Sequence, residues 1–232
     1  MWSEVAAGVG GAWLVPDLPG HGPEPVVPWD VEVARLTGFL VMAPPPRLLL
    51  GYSMGGRLAL AVALAEPALL DGLVLVAASP GIADDEQRRE RAAADETLAA
   101  HIEEAGVAAF VEEWLAREMF AGLKRRGEAW LEQDRARRTT NTAAGLAGAL
   151  RSLGPGAQPW LGERLGEFEK PVRLVVGAED RRYLDVAGEM EAWLPNGQMI
   201  LVPESGHAVV GEQPDAVAGA VMGLLGESGG IG

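Results

Sequence analysis

The chain has 232 residues, 48% of them hydrophobic, no cysteine and a formal net charge of −14. That length and apolar content suit one domain, with or without an insertion, and can bury a sizeable core. The lack of cysteine excludes disulfides and thiol catalysis and fits a cytoplasmic protein, while so acidic a surface argues against a nucleic-acid partner.

In chain order, Met1–Gly10 has no basic start followed by an apolar block, so no secretory signal is expected, and Met1–Val5 opens a helix. A first strand is predicted over Ala12–Val15 and a helix over Val31–Leu40. Strands at Arg47–Gly51 and Leu73–Ala77 enclose a helix over Met54–Glu66. The longest apolar run, Leu58–Ala65, is too short to cross a bilayer, so no membrane partner is expected. Leu48-Leu49-Leu50 and Leu73-Val74-Leu75-Val76 are apolar on both faces, the pattern of a parallel sheet covered by helices. Between Ala77 and Val172 the alternation stops. Asp84–Glu104, Val107–Met119, Arg125–Arg138 and Thr142–Leu150 read as successive helices. It resumes with strands Val172–Val176 and Met199–Val202 and helices Tyr183–Trp193 and Pro214–Leu225. The glycine-rich tail Gly226–Gly232 is expected to be loose. The expected fold is α/β, a mostly parallel sheet flanked by helices, with 1–80 and 153–232 as its core and 81–152 as an inserted helical lid. Ten of the nineteen basic residues lie between Arg88 and Arg138; most of these arginines suit solvated helix faces.

Gly51-Tyr52-Ser53-Met54-Gly55 follows an apolar strand and precedes an Ala/Leu-rich helix, the context of a nucleophile elbow. So tight a turn needs small residues around the serine, which Gly51, Gly55 and Gly56 supply. The helix start and the Met54 N–H would stabilise negative charge beside Ser53. A serine needs a histidine, and the histidine an orienting carboxylate. His207 lies just past the last strand and Asp180 just past the one before, on the carboxyl edge with Ser53. Glu179 is the rival acid. The order Ser, Asp, His is that of the α/β-hydrolase fold, which makes Ser53, Asp180 and His207 the expected catalytic triad. His21 is expected to be a hydrogen-bonded loop residue and His101 a surface residue. Asp84, Asp85 and Glu86 lack a histidine partner and read as a helix N-terminus, so no metal or other cofactor is expected.

Asp17-Leu-Pro-Gly-His-Gly, Gly51-Tyr-Ser-Met-Gly-Gly-Arg57 and Gly206-His-Ala with Glu212-Gln-Pro resemble one branch of that fold. So do Ser79-Pro-Gly-Ile with Glu86-Gln-Arg-Arg-Glu-Arg91, Phe110-Val-Glu-Glu-Trp114 and Arg138-Thr-Thr-Asn141. The branch is the 2-succinyl-6-hydroxy-2,4-cyclohexadiene-1-carboxylate (SHCHC) synthases of menaquinone biosynthesis. The resemblance runs from Trp13 to about Leu225. It implies a carbon–oxygen lyase that removes a proton and expels pyruvate from a cyclohexene bearing three carboxylates. Ser53, polarised by His207, would be the base and form no acyl-enzyme. Arginine grips carboxylates through a planar fork. The resemblance implies Tyr52, Arg57, Arg91, Trp114 and Arg138 as substrate-binding residues, Arg91 and Arg138 from the lid and Trp114 as an apolar wall.

Members of that family begin with strands and a His-Gly loop that this sequence lacks. The expectation is a start codon assigned too late, which an intact mass of the native protein checks. The missing strand would lie inside the sheet and its loop would carry the second oxyanion donor, so weak stability and little activity are expected of the 232-residue form. Two other readings stay open: a carboxylesterase or C–C bond hydrolase using the same triad, and a non-catalytic binder with a vestigial pocket.

Overall fold

The computed structural model describes residues 1–228; 229–232, the end of the tail expected to be loose, lie outside it. Residues Gly226–Ser228 extend the last helix rather than fraying. The chain divides into two compact units. The first comprises Met1–Val15, Val33–Pro80 and the chain from Leu161, and the second comprises Pro16–Glu32 and Gly81–Trp160.

The first unit holds four parallel strands in the order β1 (Leu48–Tyr52), β2 (Gly72–Val76), β3 (Val172–Gly177), β4 (Gly197–Val202). Every residue of β2 and β3 is buried, as their unbroken apolar runs require of strands covered on both faces. Side chains alternate across a strand, so Val74 and Val76 of β2 face one way with Val175 of β3. They meet Val5 of α1 (Ser3–Val9) and Val217, Val221 and Leu224 of α9 (Pro214–Ser228) in one core cluster. After α2 (Trp29–Met42), the helix α3 (Met54–Ala65) packs on β1 and β2, buried from Gly56 to Leu64. The helix α7 (Arg181–Trp193) packs on β3 and β4. In β1, Leu48, Leu49 and Leu50 are only half-buried, contrary to the two-sided burial their run suggested. The reason is position: β1 is an edge strand.

Ala12–Val15 is not a strand. A strand exists only through a hydrogen-bonded neighbour, and no ladder joins this segment to the sheet. Leu14 and Val15 are exposed, and the Trp13 indole N–H donates instead to Gly10 O.

The second unit is helical. The helix α4 (Asp85–Leu115) is capped by Asp84, which accepts from Gln87 N at 2.8 Å. It is broken at Gly106, whose φ of 79° lies outside the helical region, so the two helices expected here meet at a kink. The next helix does not begin at Arg125: Glu118–Arg126 winds as a 3₁₀ segment, and Gly127 at φ 80° separates it from α5 (Glu128–Thr139). The helix α6 (Ala143–Leu153), capped by Thr142, packs Ala147 against Ala99, Ile102 and Phe110 of α4. Pro16–Glu32, read from sequence as part of the sheet domain, belongs to this unit. Gly22 N donates to Asn141 Oδ1 at 3.0 Å, and Val26 lies against Gly148 of α6. Of the described residues, no helix is long and apolar enough to cross a membrane.

Candidate functional site

Between Tyr52, the end of β1, and Met54, the start of α3, stands a single residue, Ser53. Reversing from strand to helix over one residue forces its backbone to φ 49° and ψ −112°. The turn closes only because Gly51 has no side chain. A Cβ there would lie 2.3 Å from Gly55 O and 2.5 Å from Gly56 Cα. Ser53 N donates to Val76 O at 2.9 Å, tying the turn to the carboxyl end of β2.

Asp180 follows β3 by the same logic and caps α7, with Oδ1 accepting from Tyr183 N at 3.5 Å. Its second oxygen, Oδ2, lies 2.7 Å from His207 Nδ1. His207 comes from the loop after β4, and its Nε2 lies 3.1 Å from Ser53 Oγ. The imidazole is 3% exposed. A carboxylate can only accept, so Nδ1 carries the proton and Nε2 is left to accept from the Ser53 hydroxyl. Three residues distant in sequence thus form one hydrogen-bonded chain within the first unit. It can draw the proton from a hydroxyl and hold the resulting imidazolium against a carboxylate.

The His207 loop is held closely to β3. Glu179 N donates to Ser205 O at 2.9 Å, and a Cβ on Gly177 would meet Ser205 O at 2.3 Å and Gly206 O at 2.2 Å. The chain has two tyrosines, and both rings pack against the imidazole, Tyr183 at 4.6 Å and Tyr52 at 5.5 Å between centroids.

Met54 is the first residue of α3, so its N–H is one of the helix's opening donors, which no carbonyl within the helix can satisfy. Arg57, one turn further on, is buried rather than on a helix surface, at 5% exposure. Arg91, Trp114 and Arg138 lie in the second unit. Arg91 Nε donates to Asp95 at 2.7 Å and Arg138 Nε to Asp134 at 2.7 Å, and both aspartates are buried. Arg91 therefore meets a counter-charge on Nε at Asp95, and Arg138 does so at Asp134, a carboxylate it shares with Arg137, while the terminal amino groups of Arg91 and Arg138 make no hydrogen bond among the described residues. Trp114 packs between Phe110 and Phe120 in tilted contacts, at 5.5 and 5.7 Å between centroids, with the Arg117 guanidinium 4.3 Å from its ring. His21 Nδ1 donates to Pro19 O at 3.2 Å, and the exposed His101 pairs with Glu113 at 2.6 Å. The described residues contain no group of three or more histidines and carboxylates that could hold a metal.

Two residues at this site carried no role in the sequence reading. Tyr183 was visible only as a helix residue. Glu212 stood out only as part of a motif, although an acid one glycine past the apolar run Ala208–Val210 was a sign that its carboxylate is buried for a reason.

The alpha/beta hydrolase family model matches residues 1–220. A 2-succinyl-6-hydroxy-2,4-cyclohexadiene-1-carboxylate synthase of Serratia proteamaculans is 31% identical, covering 91% of this chain and 82% of its own. A Bacillus subtilis protein bearing the same synthase name is 38% identical over 72% of this chain, which spans 61% of that relative's length. Among solved structures, MenH from S. aureus superposes with a TM-score of 0.85 at 30% identity, covering 91% of this chain and 82% of that one. A malate-bound thermophilic esterase from Thermogutta terrifontis reaches 0.77 at 25% identity, covering 98% and 85%.

Proposed function

Because the chain belongs to the alpha/beta hydrolase family and, within it, to the SHCHC synthases, we propose that it is a carbon–oxygen lyase of menaquinone biosynthesis. It eliminates pyruvate from 2-succinyl-5-enolpyruvyl-6-hydroxy-3-cyclohexene-1-carboxylate to give SHCHC. The observation that carries the chemistry is the bonded chain Ser53–His207–Asp180. In this reading the Ser53 oxygen takes a ring proton as its own passes to His207 Nε2, and Asp180 stabilises the imidazolium. The electron pair released closes the conjugated diene and breaks the bond to the enolpyruvyl oxygen. The departing enolate becomes pyruvate on gaining a proton. The Met54 N–H receives the charge that builds during proton removal.

The substrate's carboxylates call for cations on a protein that is acidic overall. Buried Arg57, one turn from Ser53, is the substrate-binding cation of the first unit. Tyr52 is the proposed apolar contact beside it. Arg91, Arg138 and Trp114 keep the substrate-binding roles that the family resemblance gives them. The Nε bonds to Asp95 and Asp134 orient each fork and leave its terminal amino groups for a carboxylate. No metal or organic cofactor is needed for this elimination.

The assay is pyruvate release from the enolpyruvyl substrate by the purified chain, beside Ser53→Ala. Pyruvate release that depends on Ser53 is the expected result. Turnover of simple esters through a covalent Ser53 adduct, without pyruvate release, would replace this reading with the esterase alternative, which the same triad and the esterase neighbour support.

A further inference from the structure

Glu212 closes the short helix α8 (Val209–Glu212) and is 7% exposed. Its Oε2 accepts from Gly206 N at 2.8 Å and its Oε1 from Ala208 N at 3.2 Å. These are the two amides on either side of His207. Glu212 N in turn donates to Ala208 O at 2.9 Å, so Ala208 is bonded through both its backbone groups. A carboxylate withdrawn from water must be compensated by hydrogen bonds. Here those bonds fix the Ser205–Gly206 peptide, one link before His207, and the His207–Ala208 peptide that follows it.

We infer that Glu212 is a positioning residue for His207. It sets the backbone from which the ring reaches both Asp180 and Ser53. The Nε2 to Oγ separation is 3.1 Å, and a misplacement of about 1 Å at such a contact can cost on the order of a hundredfold in rate. Other features of the loop hold the chain before His207 but not the His207–Ala208 peptide after it. Gly177 packs under Ser205 and Gly206, and Glu179 N bonds Ser205 O; both act before the histidine. Glu212 alone, among the hydrogen bonds described for this loop, grips both flanks.

The catalytic half of this inference rests on the lyase reading, so the test includes readouts that need no substrate. Glu212→Gln keeps the shape but replaces one accepting oxygen with an amino group that cannot accept. With a cooperative melt retained, kcat for pyruvate release is expected to fall about ten- to a hundredfold while KM stays within about twofold, because the lost contact acts on the base and not on substrate binding. The low-field proton resonance of His207 Nδ1–H, tractable in a chain with three histidines, is expected to shift or broaden. An unchanged kcat with an unmoved resonance overturns the inference, as does a loss carried by KM alone. Should the variant fail to melt cooperatively, hydrogen exchange on the unaltered protein decides. The Gly206 and Ala208 amides must be protected, and exchange at open-loop rates overturns the inference. A wild-type chain that releases no pyruvate defeats the lyase reading, while the resonance and exchange measurements still judge Glu212.

Discussion

At Ser53 the backbone stands at φ 49°, a region that costs a non-glycine residue on the order of 1–3 kcal/mol. The strain holds the hydroxyl at the point where Nε2 of His207 can reach it. In the proposed function the chemistry depends on the tautomer that Asp180 imposes. Replacing Asp180 by Asn offers Nδ1 an amide that can either accept or donate, so the ring is no longer held with Nε2 free to accept from Ser53. Ser53→Ala is expected to lower kcat on the order of 10²–10⁴-fold, and Asp180→Asn by a similar factor, with little change in melting temperature. Pyruvate-release kinetics and a thermal melt on each variant check this. A loss of activity that tracked unfolding would point to a structural role instead. The sequence carried these three residues because each lies within a few residues of the end of a strand, where chain order alone assigns the edge of the sheet. It did not reveal the tyrosine pair around His207 or the grip of Glu212, since contacts between side chains from different loops leave no local pattern.

At the scale of elements, the close approach of β3 to the His207 loop is set by Gly177. A methyl group there would meet two backbone carbonyls, which cannot rotate away as a side chain could. Gly177→Ala is expected to cost about 1–3 kcal/mol, the range for overpacking, and to impair turnover as well, because the loop that must yield carries His207. A denaturant melt alongside the activity assay reads both. In the second unit, α6 is joined to α4 by Arg151, which bonds Glu96 and Glu103 together. Those hydrogen bonds hold both carboxyls below the usual value of 4.5. A carboxyl depressed in the folded state contributes stability above that value and loses it as pH falls through the folded pKa. Arg151→Ala is therefore expected to lower the melting temperature at pH 7 and to converge with wild type in acid. The pair is exposed, so the difference should also shrink with added salt. The helices and buried strands were legible from periodicity and apolar runs. Ala12–Val15 was not, because a short apolar run carries no information about whether a neighbour exists to pair with it. Nor was the edge position of β1, which is a property of strand order.

The whole molecule presents a net charge of −14 to a substrate that the proposed function makes an anion. Range decides between this global repulsion and the local arginines. The screening length is about 30 Å at 0.01 M salt and about 8 Å at 0.15 M. At the lower salt the substrate meets the charge of the whole chain, and at the higher mainly that of the residues it touches. Raising salt between these values is expected to increase kcat/KM for pyruvate release. A steady decrease would mean that the arginines dominate at long range. Composition, apolar runs and motif context determined by themselves the fold class, the order of the sheet helices and the three residues that the fold joins in the Ser53–His207–Asp180 hydrogen-bonded chain, because a buried parallel strand and a strand–Gly–helix turn are written in consecutive residues. Only the tertiary structure decided which strands lie at the edge, that Pro16–Glu32 belongs with the helices, and how Glu212 and the tyrosines surround His207. Those outcomes depend on which distant segments meet, and that is fixed by packing across the fold rather than by any stretch of chain.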